Sequence, residues 1–263
     1  VFGVMRVVNV AHGEFFMLGA VLAWACFHFT GNMPLLGFLF ALIVAPVLVG
    51  GLAMLSDQLI LNRIQYNPES TIVATIGLLY IIQQLVLSFF GPEARPVEAP
   101  IYFRVQFPWF GYSGYKLIVA VLSGFLLLVT WFLMVRSKLG LYMRATQQDA
   151  EIAQTFGVPT RSVYSKVFAI GAGLAALAGV LVVPIRQADY LMGLEPLLLS
   201  FIVVIIGGLG SLRGTLVAAF IVGISDGFIS VFYEPTLAKM LATVLVAAVL
   251  IVKPTGLFGE EPG

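Results

Sequence analysis

An all-α, polytopic transmembrane helical bundle is the fold class that this sequence predicts, and three observations predict it. Of its 263 residues, 60% are apolar and only 10% are charged, whereas soluble domains carry about a quarter charged residues. Apolar segments of roughly 15 to 22 residues recur along the chain, the length a hydrocarbon core demands of a helix. These runs are continuous rather than alternating, which excludes a transmembrane barrel. The expectation is about eight spans after a truncated N-terminal helix, with helices broken at glycine-rich loops, all in one transmembrane domain covering residues 1–263.

Charge narrows the partners. The 14 basic and 13 acidic residues cannot coat a soluble core of this size, but lipid needs no such coat. A net charge of +1 without any basic run excludes nucleic acid as a partner and leaves membrane lipid as the surrounding medium. The single cysteine, Cys26, forms no intrachain disulfide and reads as a small packing residue.

The elements follow in order. Val1-Phe2-Gly3-Val4-Met5 opens inside an apolar run, without the charged start of a signal peptide, and reads as the middle of a truncated helix. Spans are then expected from Phe15 to Phe29, Pro34 to Leu55, Thr71 to Phe90, Leu117 to Val135, Val167 to Ile185, Leu197 to Ile206, Thr215 to Phe232 and Leu237 to Val252. The sixth is short and ends in Gly207-Gly208-Leu209-Gly210, so it is either a full span or half of a broken helix. Arg136, Lys138, Arg144, Arg161 and Lys166 form the densest basic cluster, which makes residues 136–166 a cytoplasmic loop. Alternation then puts Ser56 to Ser70, the Gly208 region and the tail after Lys253 on the same side, with Gly91 to Tyr115 outside. The prolines and aromatic residues of that outer loop, Pro92 to Tyr115, suit an extended segment at the membrane surface.

No enzyme signature is present. His12 and His28 are the only histidines, no pair has metal-ligand spacing, and no nucleophile elbow, zinc-protease or phosphate-loop motif occurs. What remains are polar and glycine-rich breaks inside apolar sequence. They are costly in lipid and usually line a path or a protein interface, so transport becomes the leading class.

The first break, Asn9-Val10-Ala11-His12-Gly13-Glu14, puts an amide, an imidazole and a carboxylate together. Either it breaks a helix and faces a cavity, or it is a short cytoplasmic turn whose His12 and Glu14 cap helix ends. The second break, Gly207 to Gly214 with Gly208 and Gly210 inside it, holds the corresponding place before another span. Paired breaks mark a substrate route in many transporters, and two unrelated glycine turns are the plain alternative. In the cytoplasmic loop Leu141, Ala145, Ile152 and Phe156 share one helical face, with Gly157 as a stop and Pro159 beyond it. That short amphipathic helix either packs locally or docks into another protein. Gly171, Ala175 and Gly179, at four-residue steps, invite close helix packing. Asp226, Gln83 and Gln84 are polar residues inside spans, each either on the route or structurally satisfied.

These motifs resemble the permease subunits of bacterial ABC importers for branched-chain and other hydrophobic amino acids, with their urea and amide relatives. The matching stretches are Phe2 to Glu14, Arg144-Ala145 with Glu151 to Gly157, Ile206 to Gly214, and Lys253-Pro254-Thr255-Gly256-Leu257-Phe258-Gly259; together they span essentially the whole chain. The resemblance implies a multi-pass protein of the bacterial inner membrane that works with a second related permease, two cytoplasmic ABC ATPases and a periplasmic substrate-binding protein. It implies that Arg144, Glu151, Ala153 and Gly157 belong to a helix that docks in the ATPase cleft. Asn9, His12, Gly13, Glu14, Gly207, Gly208 and Gly210 would lie near the translocation route. ATP and magnesium would sit on the partner ATPase, with no cofactor on this chain. The cargo is a branched-chain or other amino acid, alternatively urea or a short amide. A carrier driven by an ion gradient through Asp226 and Glu14, or a purely structural subunit, are the readings from other classes.

Overall fold

The computed structural model describes residues 8–106, 108, 111–208 and 210–232, with residues 236, 237, 240, 241, 244, 253 and 256 further on. Most of the expected span from Leu237 to Val252, the N-terminal stub, and most of the closing Lys253 to Gly259 motif lie outside the described residues. The chain forms two compact units, Gly3–Leu194 and Glu195–Gly263.

The first unit contains α1 (His12–Phe29), α2 (Pro34–Ser56), which runs on into a π-helical turn at Asp57–Leu61, α3 (Pro68–Phe90), α4 (Gly114–Arg136), α5 (Lys138–Gln148), α6 (Ala150–Thr155) and α7 (Thr160–Arg186). The second holds α8 (Leu194–Gly207) and α9 (Leu212–Phe232). Four of the segments, Pro34–Leu61, Pro68–Phe90, Gly114–Arg136 and Thr160–Arg186, are long and apolar enough to cross a membrane. The fold is helical as expected, and the described helices start and stop within three residues of the sequence-based bounds, except that α7 starts at Thr160, seven residues before the expected Val167.

Local signals explain the ends. Asn67 accepts a hydrogen bond from the Ser70 N–H at 3.1 Å with Pro68 in the first turn of α3, a side-chain cap followed by a proline whose missing donor costs nothing there. Asp149 caps α6 by accepting from the Glu151 and Ile152 N–H groups, both at 2.9 Å. Gly157, at φ +82°, ends it: its N–H bonds the Gln154 carbonyl at 3.0 Å and the Val158 N–H bonds the Ala153 carbonyl at 3.1 Å. That is a Schellman ending, with Pro159 two positions on.

The core of the first unit is made by α1, α2 and α7. On α2 the row Ala41, Ala45, Val49 and Ala53 is buried, and on α7 the buried row is Ala172, Gly173, Ala176, Gly179 and Val180. Small residues let the backbones approach. A Cβ at Gly19 would overlap the Ala176 backbone, and one at Gly179 would overlap the Phe16 carbonyl. Of the expected row Gly171, Ala175 and Gly179, only Gly179 is buried and makes the close approach, whereas Gly171 and Ala175 are half-buried. Within α4 only Gly114 and Tyr115 are buried, and Val121, Phe125, Leu128 and Phe132 stand exposed, as a lipid-facing helix requires. The Tyr115 hydroxyl donates to the Leu181 carbonyl at 2.8 Å and ties the start of α4 to α7.

Two details depart from the sequence reading. The segment between α3 and α4 is extended as expected, but it forms a small antiparallel hairpin of β1 (Arg104–Gln106) and β2 (Gly111–Ser113), with Arg104 opposite Ser113. The loop expected to be cytoplasmic, residues 136–166, does not hold one amphipathic helix. Asp149 adopts extended dihedrals, φ −154° and ψ 112°, and separates α5 from α6, so Leu141 and Ala145 do not continue the face of Ile152 and Phe156.

Candidate functional site

The helix α1 starts inside the first unit. Asn9 turns the chain: its Oδ1 accepts from the Ala11 N–H at 3.0 Å and its carbonyl from the His12 N–H at 3.3 Å. The Val10 N–H donates to Thr75 Oγ1 at 3.2 Å, while the Thr75 hydroxyl donates to the Thr71 carbonyl at 2.8 Å. Gln83 Nε2 donates to Glu14 Oε1 at 2.9 Å, and Glu14 is 0% exposed. Thr75 and Gln83 are interior to the 23-residue helix α3, so this turn lies alongside the middle of that helix, not at its end.

The turn is enclosed, and neither His12 nor Glu14 caps the helix: Ala11 is the N-cap of α1 and no side chain caps it. Asn9, His12, Gly13 and Glu14 fall in one polar stretch, and Thr75 and Gln83 of α3 bond to it at Val10 and Glu14. A carboxylate enclosed in this way loses its hydration and is retained only against a partner. Gly193, in the linker after α7, lies on the turn so closely that a Cβ there would overlap the Gly13 carbonyl. Gln84, by contrast, is exposed, although it is Gln83's neighbour in sequence.

In the second unit, Gly207, Gly208 and Gly210 form a tight connection between α8 and α9. Gly208 and Gly210 take φ +97° and +85°, and a Cβ at Gly207 would strike the Thr215 N–H and Gly214 backbone. Ser211 follows as the cap of α9, its Oγ accepting from the Gly214 N–H at 3.1 Å. Gly256, at φ +80°, lies against Gly208, where a Cβ would come within 2.5 Å of its Cα. Gly210→Val is expected to lower the thermal midpoint by forcing a branched residue into left-handed backbone, at about 1–2 kcal/mol; an unchanged midpoint in a thermal scan would remove the requirement for glycine. Asp226 is half-buried on α9.

On the loop after α4, the Arg144 guanidinium donates to the Met134 carbonyl at the last turn of α4, a cation on orphan helix carbonyls. Ala153 is buried, whereas Glu151 and Gly157 are exposed. Ile152 and Phe156 are 56% and 83% exposed, and they lie one helical turn apart.

Asp57 was not picked out from the sequence. It is 0% exposed, and its Oδ2 accepts from the Tyr66 hydroxyl at 3.3 Å and from the Ser165 hydroxyl of α7. Burial and the Asp57 charge push the Tyr66 hydroxyl above its ordinary range, so it stays a proton donor to the carboxylate. The sequence signal was there: Ala41, Ala45, Val49, Ala53 and Asp57 are one four-residue series, and the carboxylate extends a buried row.

A recess of about 500 Å³ opens beside the C-terminal end of α1, with Trp24, His28, Glu93, Arg95 and Glu98 among its walls. Arg95 is built into it: its guanidinium lies 4.5 Å over the Trp24 ring and donates to the Phe90 carbonyl at 3.1 and 2.6 Å. Its backbone pairs with Ala188 at 2.7 and 2.8 Å.

Long apolar helices, lipid-type exposure and a polar break enclosed among them define a helical membrane protein. Residues 1–252 match the family model described as branched-chain amino acid transport system / permease component, and the chain belongs to that family. It is 26% identical to the high-affinity branched-chain amino acid transport system permease protein LivH of Escherichia coli (strain K12) over 280 residues, 99% of this chain and 88% of the relative. It is 25% identical to BraD of Pseudomonas aeruginosa, again over 99% of this chain and 88% of the relative. The galactofuranose transporter permease protein YtfT of Escherichia coli (strain K12) is 29% identical over 266 residues, 95% of this chain and 74% of that one. No solved structure matches the chain. As a permease component, the protein is a transport subunit and not an enzyme.

Proposed function

We propose that this chain is the transmembrane permease subunit of an ATP-driven importer that moves branched-chain or closely related amino acids across the bacterial inner membrane. The observation that carries the reading is Glu14, wholly buried and bonded to Gln83 where α1 begins inside the helical unit. A polar break of this kind in an apolar protein is retained for a path. Asn9, His12, Gly13 and Glu14 line that path, and Gly207, Gly208 and Gly210 provide the corresponding break in the second unit. The permease works as a multi-pass subunit beside a second related permease, and a periplasmic binding protein delivers the cargo.

The energy comes from two cytoplasmic ABC ATPases, which hold the nucleotide and magnesium. Ile152 on α6 and Phe156 just past its end, both exposed, are the apolar contacts for the ATPase cleft, with Glu151 beside them and Ala153 and Gly157 fixing the helix and its end. Arg144 anchors the neighbouring α5 to the end of α4, so that movement at the cleft reaches the membrane helices. Closure of the ATPase pair on ATP switches the path between outward-open and inward-open states. Gly157→Pro or Glu151→Lys is expected to leave the complex assembled while uptake falls and ATP hydrolysis continues; normal coupled uptake in both variants would refute the docking.

The test of the whole reading is reconstitution in liposomes with the partner subunits, scoring uptake of leucine, a polar amino acid and urea in parallel. ATP-dependent uptake of leucine supports it. Uptake by the chain without ATPases, driven by an ion gradient, overturns it.

A further inference from the structure

We infer that a recess at the start of α4 is a binding site for one anionic phospholipid, with Lys116 taking the phosphate and the apolar walls taking the first part of an acyl chain. The inference is independent of the importer reading and needs only that the chain spans a bilayer. The recess measures about 210 Å³ and is walled by the segment before β1, the first residues of α4 and the last turn of α7. Its shape is fixed by bonds among those three parts. The Gly114 N–H donates to the Phe103 carbonyl at 2.9 Å, and the Tyr115 hydroxyl donates to the Leu181 carbonyl at 2.8 Å. The Phe103 ring lies on Gly114 so closely that a Cβ there would overlap it. A recess held in this way is formed before any ligand arrives.

Chemistry and depth together name the ligand. Ile101, Phe103, Pro184 and Ile185 are apolar walls, Ser113 supplies a hydroxyl, and Lys116 is the one charged residue among the described walls. Lys116 has no hydrogen-bond or ion-pair partner among the described residues. No carboxylate lines this recess, whereas the recess beside α1 holds Glu93 and Glu98; the charge here is complementary to an anion. Depth follows from the helices. Both α4 and α7 are long and apolar enough to cross a membrane, and the recess lies at the start of one and the end of the other. That is the level at which hydrocarbon gives way to phosphate head groups, where a lysine keeps its charge and its stem stays on apolar surface. On the same face of α4 as Lys116, at helical steps below it, Ala120, Ser123 and Leu127 are exposed. An acyl chain that leaves the recess therefore continues along bare helix surface. A free phosphate has no use for the apolar walls, and a zwitterionic lipid brings a second cation beside Lys116.

The test is native mass spectrometry of the detergent-purified full chain, titrated with phosphatidylglycerol and phosphatidylcholine that carry the same acyl chains. One phosphatidylglycerol per chain is expected to be retained in preference to phosphatidylcholine by about fivefold, the effect of one basic residue at a membrane surface. Lys116→Gln is expected to abolish the preference and Lys116→Arg to keep it, while Lys138→Gln, just past the other end of α4, leaves it untouched. Ile185→Trp fills the recess without touching the charge and is expected to reduce binding of both lipids. Soluble glycerol 1-phosphate is expected not to compete. Equal retention of the two lipids by the wild type, or a preference that survives Lys116→Gln, overturns the site. Competition by glycerol 1-phosphate at the lipid concentrations used would make a free phosphate the ligand, and a lipid-free dimer would mean that a second copy covers the recess; either result overturns the lipid assignment.

Discussion

Gly179→Leu is expected to prevent the first unit from reaching its folded state, and Gly77→Leu is expected to change nothing. At Gly179 even a Cβ would overlap the Phe16 carbonyl of α1, whereas at Gly77 nothing lies within 4 Å. The obstacle is backbone inside a helix, which cannot turn aside as a side chain can. Either α1 separates from α7 or the helix distorts, and forced repacking of this kind costs about 1–3 kcal/mol for each inserted group, with leucine adding several. Size-exclusion profiles and thermal midpoints of the detergent-purified proteins decide it. A monodisperse Gly179→Leu protein with a wild-type midpoint would show that the two helices do not meet there.

The second large effect is expected at Asp57. Removing its carboxylate in Asp57→Ala strands the Tyr66 and Ser165 hydroxyls and leaves a void where a fully buried side chain stood. Unsatisfied buried donors cost about 1–3 kcal/mol each, so a drop of several degrees in the thermal midpoint is expected. Asp57→Asn keeps one acceptor oxygen and recovers a large part of the loss. The double variant with Ser165→Ala separates the terms, because its cost should be less than the sum of the single costs if the hydroxyl's only role is to hold the carboxylate. Additive losses would mean that the two residues act apart.

The parts of this fold that were legible in the sequence are those fixed by local chemistry. Helix lengths follow from apolar run length, and the stop at Gly157 follows from a left-handed position that only glycine takes without strain. What stayed hidden depends on the third dimension. Small residues run along most of α7, and composition does not say that Gly173, Ala176 and Gly179 meet neighbours while Gly171 and Ala175 are only half-buried. Asp149 broke a face whose apolar period continued through it, because a capping carboxylate that takes two N–H groups outweighs the period. The turn at Asn9 to Glu14 was visible as a polar cluster, but its depth was not: alternating spans assume that helices begin at a surface, and α1 begins beside the middle of α3. Gln83 and Gln84 were indistinguishable until α3 was packed, one facing Glu14 and the other facing outward.

The pairing of Arg95 with Ala188 has a mechanical consequence. Ala188 and Gly193 are joined by a stretch of linker that is at most about 18 Å long when fully extended, and Gly193 rests on the carbonyl of Gly13. Arg95 is itself clamped to the Phe90 carbonyl and the Trp24 ring, so the linker has a fixed anchor at one end and the polar turn at the other. The segment at Arg95 therefore holds one end of a short strap whose other end, Gly193, rests on the polar turn. Movement of either end of that strap is limited to what the few residues between them allow.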